Sequence, residues 1–155
     1  MNSARAVGCF NLKKLKREVK GKMFLGSYRP SFDAKSRRFA LPKKIRSKLK
    51  NDQVILSYGF DVCIFGFDPK SWESEAKKQL ETPIVSKSGR NTRRFLFSSA
   101  QHLVLDNQGR FILPDNLCQF AKIIKPVVIG AGDHFEIWDE NIWVREKKKL
   151  EEEVL

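Results

Sequence analysis

The chain has 155 residues, 41% of them hydrophobic and 31% charged, which is enough for one ordinary domain or two very small ones around a buried core. No apolar run approaches the roughly 18 residues that a membrane-spanning helix needs, so the sequence predicts no such helix. Lys and Arg number 30 against 18 Asp and Glu, giving a net charge of +12. This balance favours a polyanionic partner, with nucleic acid ahead of an acidic membrane or an acidic protein.

Residues 1–22 differ from the rest of the chain by their charge. They hold seven basic residues and one acid, a net +6 of the total +12. Their apolar runs of two residues are too short for a secretory signal. Translation could also begin at Met23, the only methionine after Met1. We predict that residues 1–22 form a disordered basic extension, either an upstream addition or an arm that adds non-specific affinity for nucleic acid.

An internal repeat organises the remaining residues. The segment Asp33-Ala-Lys-Ser-Arg-Arg-Phe-Ala-Leu-Pro42 returns as Asp106-Asn-Gln-Gly-Arg-Phe-Ile-Leu-Pro114, at an offset of 73 for Asp and 72 for Pro, because the first copy has one extra residue. Further landmarks follow in the same order, so the chain contains two copies of one unit of about 55 residues. The predicted organisation is a first repeat at 23–81, a linker with a short helix at 82–96, and a second repeat with a C-terminal helix at 97–155.

Each repeat predicts the same succession of elements. An extended run leads into a polar turn, a short strand, a brief helix opened by proline, a hairpin around a glycine, and a helix capped by aspartate. In the first repeat we expect the elements other than the turn at residues 23–32, 39–41, 43–49, 54–65 and 68–80. In the second repeat we expect them at residues 101–105, 111–113, 115–122, 127–138 and 139–153. The fold class is therefore α+β, with tandem β-α-β repeats and short flanking helices.

The polar turn is the most distinctive part of the repeat. Asp33 and Asp106 open the two turns, because a carboxylate there accepts hydrogen bonds from its own backbone neighbours. Gly109 supplies a positive φ at no steric cost in the second copy, and we expect Ser36 to take that place in the first.

Histidine and tryptophan give no catalytic pattern. His102 and His134 are the only histidines, and neither lies in a nucleophile or metal motif. The glycine-rich segment before His134 is followed by a predicted strand, whereas a phosphate-binding loop is followed by a helix, so we interpret it as turn geometry. Trp72 and Trp143 occupy matched positions in capped helices, where a core anchor is the more common role than base stacking. We predict that the protein is not an enzyme and takes no small-molecule substrate.

The cysteines indicate the cellular compartment. Cys9, Cys63 and Cys118 are odd in number, widely separated and outside any C-x-x-C pattern. A disulfide framework or a zinc site needs more and closer ligands, so we expect a reducing cytosol, no metal and no cofactor. Cys63 and Cys118 are interpreted as small buried hydrophobic residues.

Basic residues are concentrated around the first turn. Residues 29–50 contain nine Lys and Arg against a single acid, Asp33. A solvated helix face accounts for those at 43–50, but a turn has no need of Lys35, Arg37 and Arg38. An arginine on a protruding β-turn can reach a phosphate or fork onto a guanine edge in the major groove, which a two-stranded ribbon fits.

The combined motifs resemble the MraZ family of bacterial regulators over roughly residues 23–150. The resemblance is carried by Met23-Phe-Leu-Gly26, Asp33-Ala-Lys-Ser-Arg37, Arg93-Arg94-Phe-Leu-Phe-Ser-Ser-Ala100, Asp106-Asn-Gln-Gly-Arg110 and Glu136-Ile-Trp-Asp139. It implies an AbrB-like swapped-hairpin β-barrel core, in which the two repeats pair within one chain, and assembly into a homo-oligomeric ring. It also implies binding to short direct repeats in double-stranded DNA, in the promoter of a cell-division and cell-wall gene cluster that includes the regulator's own gene.

The resemblance assigns DNA binding to Arg110 and to either Arg37 or Arg38, and we add Lys35, Arg93 and Arg94 as candidate DNA contacts. Counting from the aspartates pairs Arg37 with Arg110, whereas counting back from the prolines pairs Arg38 with it. Strand alternation favours the second register, with the extra residue absorbed in the turn. We therefore predict a cytoplasmic, nucleoid-associated transcriptional regulator. The alternatives are a non-specific nucleic-acid-binding or nucleoid protein and an antitoxin-like protein-binding module.

Overall fold

The computed structural model describes residues 23–155, and the predicted extension at 1–22 lies outside them. Within the described part, nine strands form two antiparallel sheets accompanied by five α-helices, which confirms a mixed fold of short strands and flanking helices. None of the helices in residues 23–155 has the length and apolarity to cross a bilayer.

The elements follow the order predicted for each repeat. The first repeat contains β1 (Ser27–Tyr28), β2 (Ser31–Asp33), β3 (Arg38–Ala40), α1 (Lys43–Arg46), a 3₁₀ turn (Lys50–Asp52), β4 (Gln53–Tyr58), β5 (Ile64–Phe67) and α2 (Pro69–Leu80). The second contains β6 (Gln101–Val104), β7 (Arg110–Ile112), α4 (Asp115–Phe120), β8 (Pro126–Gly130), β9 (Phe135–Asp139) and α5 (Glu140–Val154). Between them, α3 (Lys87–Ser99) is a helix of 13 residues, longer than the short one expected there.

The larger sheet interleaves the two repeats. Its strand order is β1-β8-β9-β5-β4-β6. The counterparts in the two repeats are β1 and β6, β4 and β8, and β5 and β9. Exchanging each strand for its counterpart gives the same order in reverse, so the sheet is pseudo-symmetric. The first strand of each repeat pairs with the hairpin of the other, Ser27 opposite Ile129 and Leu103 opposite Val54. Neither repeat completes its sheet alone, so the two form a single structural unit.

The smaller sheet, β2-β3-β7, brings the two repeated segments face to face. Phe39 lies directly opposite Phe111, with ring centroids 5.1 Å apart. Leu41 and Leu113 are both buried in the same core cluster, and so are Ile45 and its counterpart Leu117. These pairs are all 72 residues apart. The prolines, and not the aspartates, therefore set the structural register of the repeat, as strand alternation predicted.

Buried aspartates begin the last helix of each repeat. The carboxylate of Asp139 accepts the backbone amides of Asn141, Ile124 and Lys125 at 3.0–3.1 Å. Burial of this carboxyl opposes ionisation, but the amide hydrogen bonds outweigh it and hold the pKa of Asp139 below its usual value. Asp68 accepts the amides of Lys50 and Lys70 in the equivalent way. Each aspartate thus caps a helix and also ties the start of that helix to the segment that precedes the hairpin.

The two tryptophans pack against aromatic rings as predicted, but of the two cysteines expected to be buried only Cys63 is. The rings of Trp72 and Trp143 pack against Phe67 and Trp138 at centroid distances of 5.4 and 5.5 Å. Cys63 is fully buried, whereas Cys118 is only half-buried, with its thiol 3.6 Å from the carbonyl oxygen of Ile123.

Candidate nucleic-acid interface

Two polar turns project from opposite ends of the small sheet. The first joins β2 to β3, and the second immediately precedes β7. Because β3 and β7 run antiparallel with Arg38 opposite Ile112, each strand begins where the other ends. A three-residue strand therefore separates the turns by about 10 Å along the strand direction.

The first turn is organised by Asp33. Its carboxylate accepts the Ser36 hydroxyl at 2.7 Å and the Lys35 amide at 3.0 Å. The hydrogen bond from Ser36, followed by the one from Lys35, holds the pKa of Asp33 below its ordinary value. The Ser36 hydroxyl oxygen in turn accepts the amide of Arg38 at 3.3 Å. The carboxylate thus fixes the backbone from which the basic side chains extend.

The second turn is organised in a similar way by Asp106. One carboxylate oxygen accepts the amides of Gln108 and Arg110 at 2.8 and 2.9 Å, and the other accepts the Nε of Arg110 at 2.9 Å. The backbone amide of Arg110 is the largest cause of the lowered pKa of Asp106. The guanidinium of Arg110 is therefore held at its own turn by one nitrogen, and it remains partly exposed.

The extra residue of the first turn changes which residue adopts the left-handed conformation. Gly109 has a φ of 74°, and the non-glycine residue with the matching conformation in the first turn is Arg37, with a φ of 59°. The expectation that Ser36 takes the place of the glycine is therefore wrong. The proline-based offset of 72 pairs Arg37 with Gly109, which leaves Ser36 free to bind Asp33.

The three basic residues of the first turn have different surroundings. The Nε of Arg37 donates to the carbonyl oxygen of Leu113 at 3.0 Å, and its Nη1 lies 3.7 Å from Asp115 in α4. Arg37 thus binds the second repeat. The side chains of Lys35 and Arg38 are exposed and make no hydrogen bond or ion pair with any residue of the described chain, although Arg38 acts on Asp33 through its charge. Of the two candidate arginines, Arg38 is the more exposed and the one without a side-chain partner among residues 23–155.

The structure places Arg93 and Arg94 on α3, which packs against β4 of the larger sheet and against α2. An Nη of Arg93 donates to the carbonyl oxygens of Leu80, at 2.8 Å, and of Thr82. Arg93 therefore fastens α3 to the end of α2. Arg94 is exposed and has no such bond within residues 23–155.

Arg46 is a functional candidate that the sequence analysis did not single out. It lies at the end of α1 in the first repeat, yet its Nη2 donates to Asn107 O at 3.1 Å in the second turn. Its Nε and Nη2 also bind the carboxylate of Asp52 at 3.0 and 3.2 Å. In the sequence it appears as one cation among many. One feature of the sequence could have pointed to Arg46. This residue interrupts the repeat, because the residue 72 positions later is Cys118.

A family model and individual known proteins both match this chain, and both point to the same family. The family described as "MraZ protein, putative antitoxin-like" matches residues 23–95 and again residues 96–155. The chain is 40% identical over 122 residues to a protein of Roseiflexus sp. (strain RS-1) named "Transcriptional regulator MraZ", covering 78% of this chain and 84% of that protein. A protein of the same name from Caldicellulosiruptor bescii is 39% identical over 125 residues, covering 80% of this chain and 86% of the relative. One from Halothermothrix orenii is 38% identical over 122 residues, with coverages of 78% and 84%.

Proposed function

Because this chain belongs to the MraZ family, we propose that it is a transcriptional regulator that binds specific DNA sequences through its two polar turns. The observation that carries the proposal is the arrangement of these turns. Both present an arginine at the start of a strand, Arg38 and Arg110, on one three-stranded sheet whose turns are stiffened by aspartate. A β-ribbon with a protruding arginine can enter the major groove and bind a guanine edge through two hydrogen bonds.

Charge around the turns supports this function. Residues 23–155 retain a net charge of +6, since 1–22 account for the other half. Lys35, Lys43, Lys44 and Arg94 are all exposed, and in our proposal they contact phosphates and not bases. Arg37, whose guanidinium binds Leu113 and Asp115, contributes to phosphate binding through its charge. The phosphate contacts give affinity, and the two turn arginines give sequence preference.

We also propose that several copies assemble into a closed ring. The exchanged strands of the larger sheet support a swapped-hairpin core of the kind the family resemblance implies, which leaves other surfaces for assembly. A groove of about 640 Å³ is lined by apolar side chains such as Phe60, Val62 and Ile142 and, at the same time, by the charged residues Asp61, Arg145, Glu146 and Lys149; Phe60 is 57% exposed. A second copy would cover this surface. Light scattering should then give a mass several times the 17.9 kDa of one chain, and a clean monomer at micromolar concentration would refute the ring.

The proposed target is a set of short direct repeats in the promoter of the cell-division and cell-wall genes, including the gene for this protein. A ring presents several pairs of turns at once. When one pair has bound a DNA repeat, the other pairs are held at a high effective concentration near the next repeats, which strengthens the overall binding. Such a regulator acts in the cytoplasm on the nucleoid.

Footprinting on the DNA upstream of the protein's own gene tests the proposal. We expect protected segments that recur at a regular spacing, and a clear preference for this DNA over a scrambled duplex of equal composition. Arg110→Ala should abolish most of that preference. Equal affinity for the two duplexes would contradict the proposal and would indicate a non-specific nucleic-acid-binding protein instead.

A further inference from the structure

The second turn is held by a side chain from the opposite repeat. Its backbone carbonyl oxygens at Asp106 and Asn107 both lie within hydrogen-bond distance of Arg46 Nη2, at 3.4 and 3.1 Å. Arg46 reaches them from α1, 60 residues earlier in the chain. The turn is thus fixed from within by Asp106 and from outside by Arg46.

Asp52 anchors the other side of the guanidinium. Both of its carboxylate oxygens bind Arg46, a two-point geometry that fixes the plane of the guanidinium as well as its position. The hydrogen bond from Arg46 lowers the pKa of Asp52, so the carboxylate stays ionised over the physiological range. Arg46 therefore bridges two partners that belong to different parts of the fold.

Gly109 gives the arginine its room. A Cβ atom at this position would lie 2.7 Å from the Cδ of Arg46 and 3.2 Å from its Nε. The side chain of Arg46 therefore packs directly on the backbone of the turn. The glycine serves the left-handed conformation and the close approach of Arg46 at the same time.

Among residues 23–155, no side chain of the other repeat binds the carbonyl oxygens of the first turn as Arg46 binds those of the second. The residue in the place of Arg46 in the second repeat is Cys118, and the first turn is instead fastened by its own Arg37 to Leu113 and Asp115. Arg37 therefore holds the first turn, and Arg46 holds the second. Both arginines belong to the first repeat and bind residues of the second.

We propose that Arg46 is a positioning residue for DNA recognition by the second turn, a role that rests on the proposed function. By fixing the carbonyl oxygens at Asp106 and Asn107, it orders the turn before DNA arrives and sets the direction in which Arg110 extends. Preordering lowers the entropic cost of binding, and a base-reading side chain needs its turn held to within about 0.5 Å. Arg46 acts through Arg110 and makes no base contact of its own.

Arg46→Lys tests this role, because it keeps the charge but replaces the planar guanidinium, whose Nε and Nη2 bind the two oxygens of Asp52, by a single nitrogen on a flexible chain. We expect the preference for the upstream duplex over the scrambled duplex to fall about tenfold or more, while the salt dependence of binding stays unchanged. In the protein without DNA, hydrogen exchange of the amides at Gln108, Gly109 and Arg110 should become faster. The matched control is Lys44→Gln on the same helix, whose exposed side chain has no partner in the described chain. It should reduce the salt dependence and leave both the preference and the exchange rates unchanged.

Asp52→Asn provides a second variant in case Arg46→Lys unfolds, since it releases the other end of the brace and should act in the same direction. If the wild-type protein shows no preference for the upstream duplex, the proposed function fails and the positioning role fails with it. If the wild type has the preference and Arg46→Lys keeps it in full, the positioning role alone is wrong. Faster exchange at the turn without loss of preference would also refute it.

Discussion

The carbonyl oxygens of Arg37 and Gly109 make the same hydrogen bond in opposite repeats. Arg37 O accepts the amide of Leu113 at 2.8 Å, and Gly109 O accepts the amide of Leu41 at 3.0 Å. Both acceptors adopt the left-handed conformation, and both donors follow the short strand of the other repeat. Each turn is therefore locked to the opposite repeat through its backbone, so its conformation matters to the stability of the whole domain as well as to the interface.

Gly109→Ala should destabilise the protein more than Gly132→Ala. Both glycines have positive φ, 74° and 87°, so alanine is strained at both positions, by about 1 kcal/mol. Only at Gly109 does the new methyl meet a neighbour, the Cδ of Arg46 at 2.7 Å, whereas nothing lies within 4 Å at Gly132. Displacement of Arg46 should add about another 1 kcal/mol.

Urea unfolding of both variants measures this difference. The pair is matched because the chemistry of the change and the backbone conformation are the same, and only the packing differs. Equal losses for the two variants would mean that Arg46 moves aside freely and does not brace the turn.

The repeat made most of the fold predictable. Hydrophobic alternation around Phe39 and Phe111, together with the prolines, predicted the strand register correctly, because a slip of one residue would expose the buried rings. The capping aspartates Asp68 and Asp139 also predicted the starts of α2 and α5. These features depend on local chemistry that repeats along the sequence.

The side-chain contacts that fasten separate elements to each other were not predictable in the same way. Neither the binding of Arg93 to the carbonyl oxygen of Leu80 nor that of Arg46 to the second turn has a local sequence pattern. Arginine can serve as a DNA ligand or as an internal clamp, and only the position of distant carbonyl oxygens decides between them. The left-handed conformation of Arg37 was missed because the aspartate-based alignment placed Ser36 opposite the glycine.

Lys43 and Lys44 should carry part of the salt dependence of DNA binding. Both are exposed at the start of α1, which follows the strand that leads out of the first turn. If both contact phosphates, Lys43→Gln with Lys44→Gln should reduce the slope of log affinity against log salt by roughly 1.8, about 0.9 for each contact. The slope is measured by titrating the upstream duplex at several salt concentrations. An unchanged slope would assign these lysines to a solvated helix face.

The contribution of His134 to the stability of the protein should be lost as the pH rises above 6.5 and through the raised pKa of its ring. Burial of its ring opposes protonation, but hydrogen bonds to Glu136, at 3.3 Å, and Asp133, at 2.7 Å, outweigh it and raise the pKa of His134 above 6.5. The ring also packs against Phe65 and Phe67, and Glu75 lines the same cavity of about 210 Å³. A raised pKa contributes stability below pH 6.5 that is lost as pH rises through the folded-state value.

Urea unfolding at pH 6, 7 and 8 tests this for the wild type and for His134→Gln. The variant should lose this part of the pH dependence, and Asp133→Asn should reduce it by removing one of the two carboxylates. A wild-type profile with the same slope as that of His134→Gln would show that the histidine is not charged preferentially in the folded protein.

The final prediction separates the roles of the two neighbouring arginines of the first turn. Arg38 begins β3 as Arg110 begins β7, and its guanidinium is unpaired among residues 23–155, whereas that of Arg37 binds Leu113 and Asp115. Arg38→Ala should therefore cost about 1–3 kcal/mol on the upstream duplex and relax sequence preference, as Arg110→Ala should. Arg37→Gly removes the other guanidinium while keeping the left-handed backbone accessible.

We expect Arg37→Gly to weaken binding evenly on the upstream and scrambled duplexes, because it removes one charge near the phosphates and loosens the first turn without taking away a base contact. The measurement is the ratio of the two affinities for each variant, with urea unfolding to separate loss of stability from loss of recognition. Stability should fall for Arg37→Gly, which loses its bonds to the second repeat, and should hardly change for the exposed Arg38→Ala. If Arg37→Gly instead removes the preference and Arg38→Ala keeps it, the base-reading register runs from Asp33, and the exposed arginine serves only the DNA backbone.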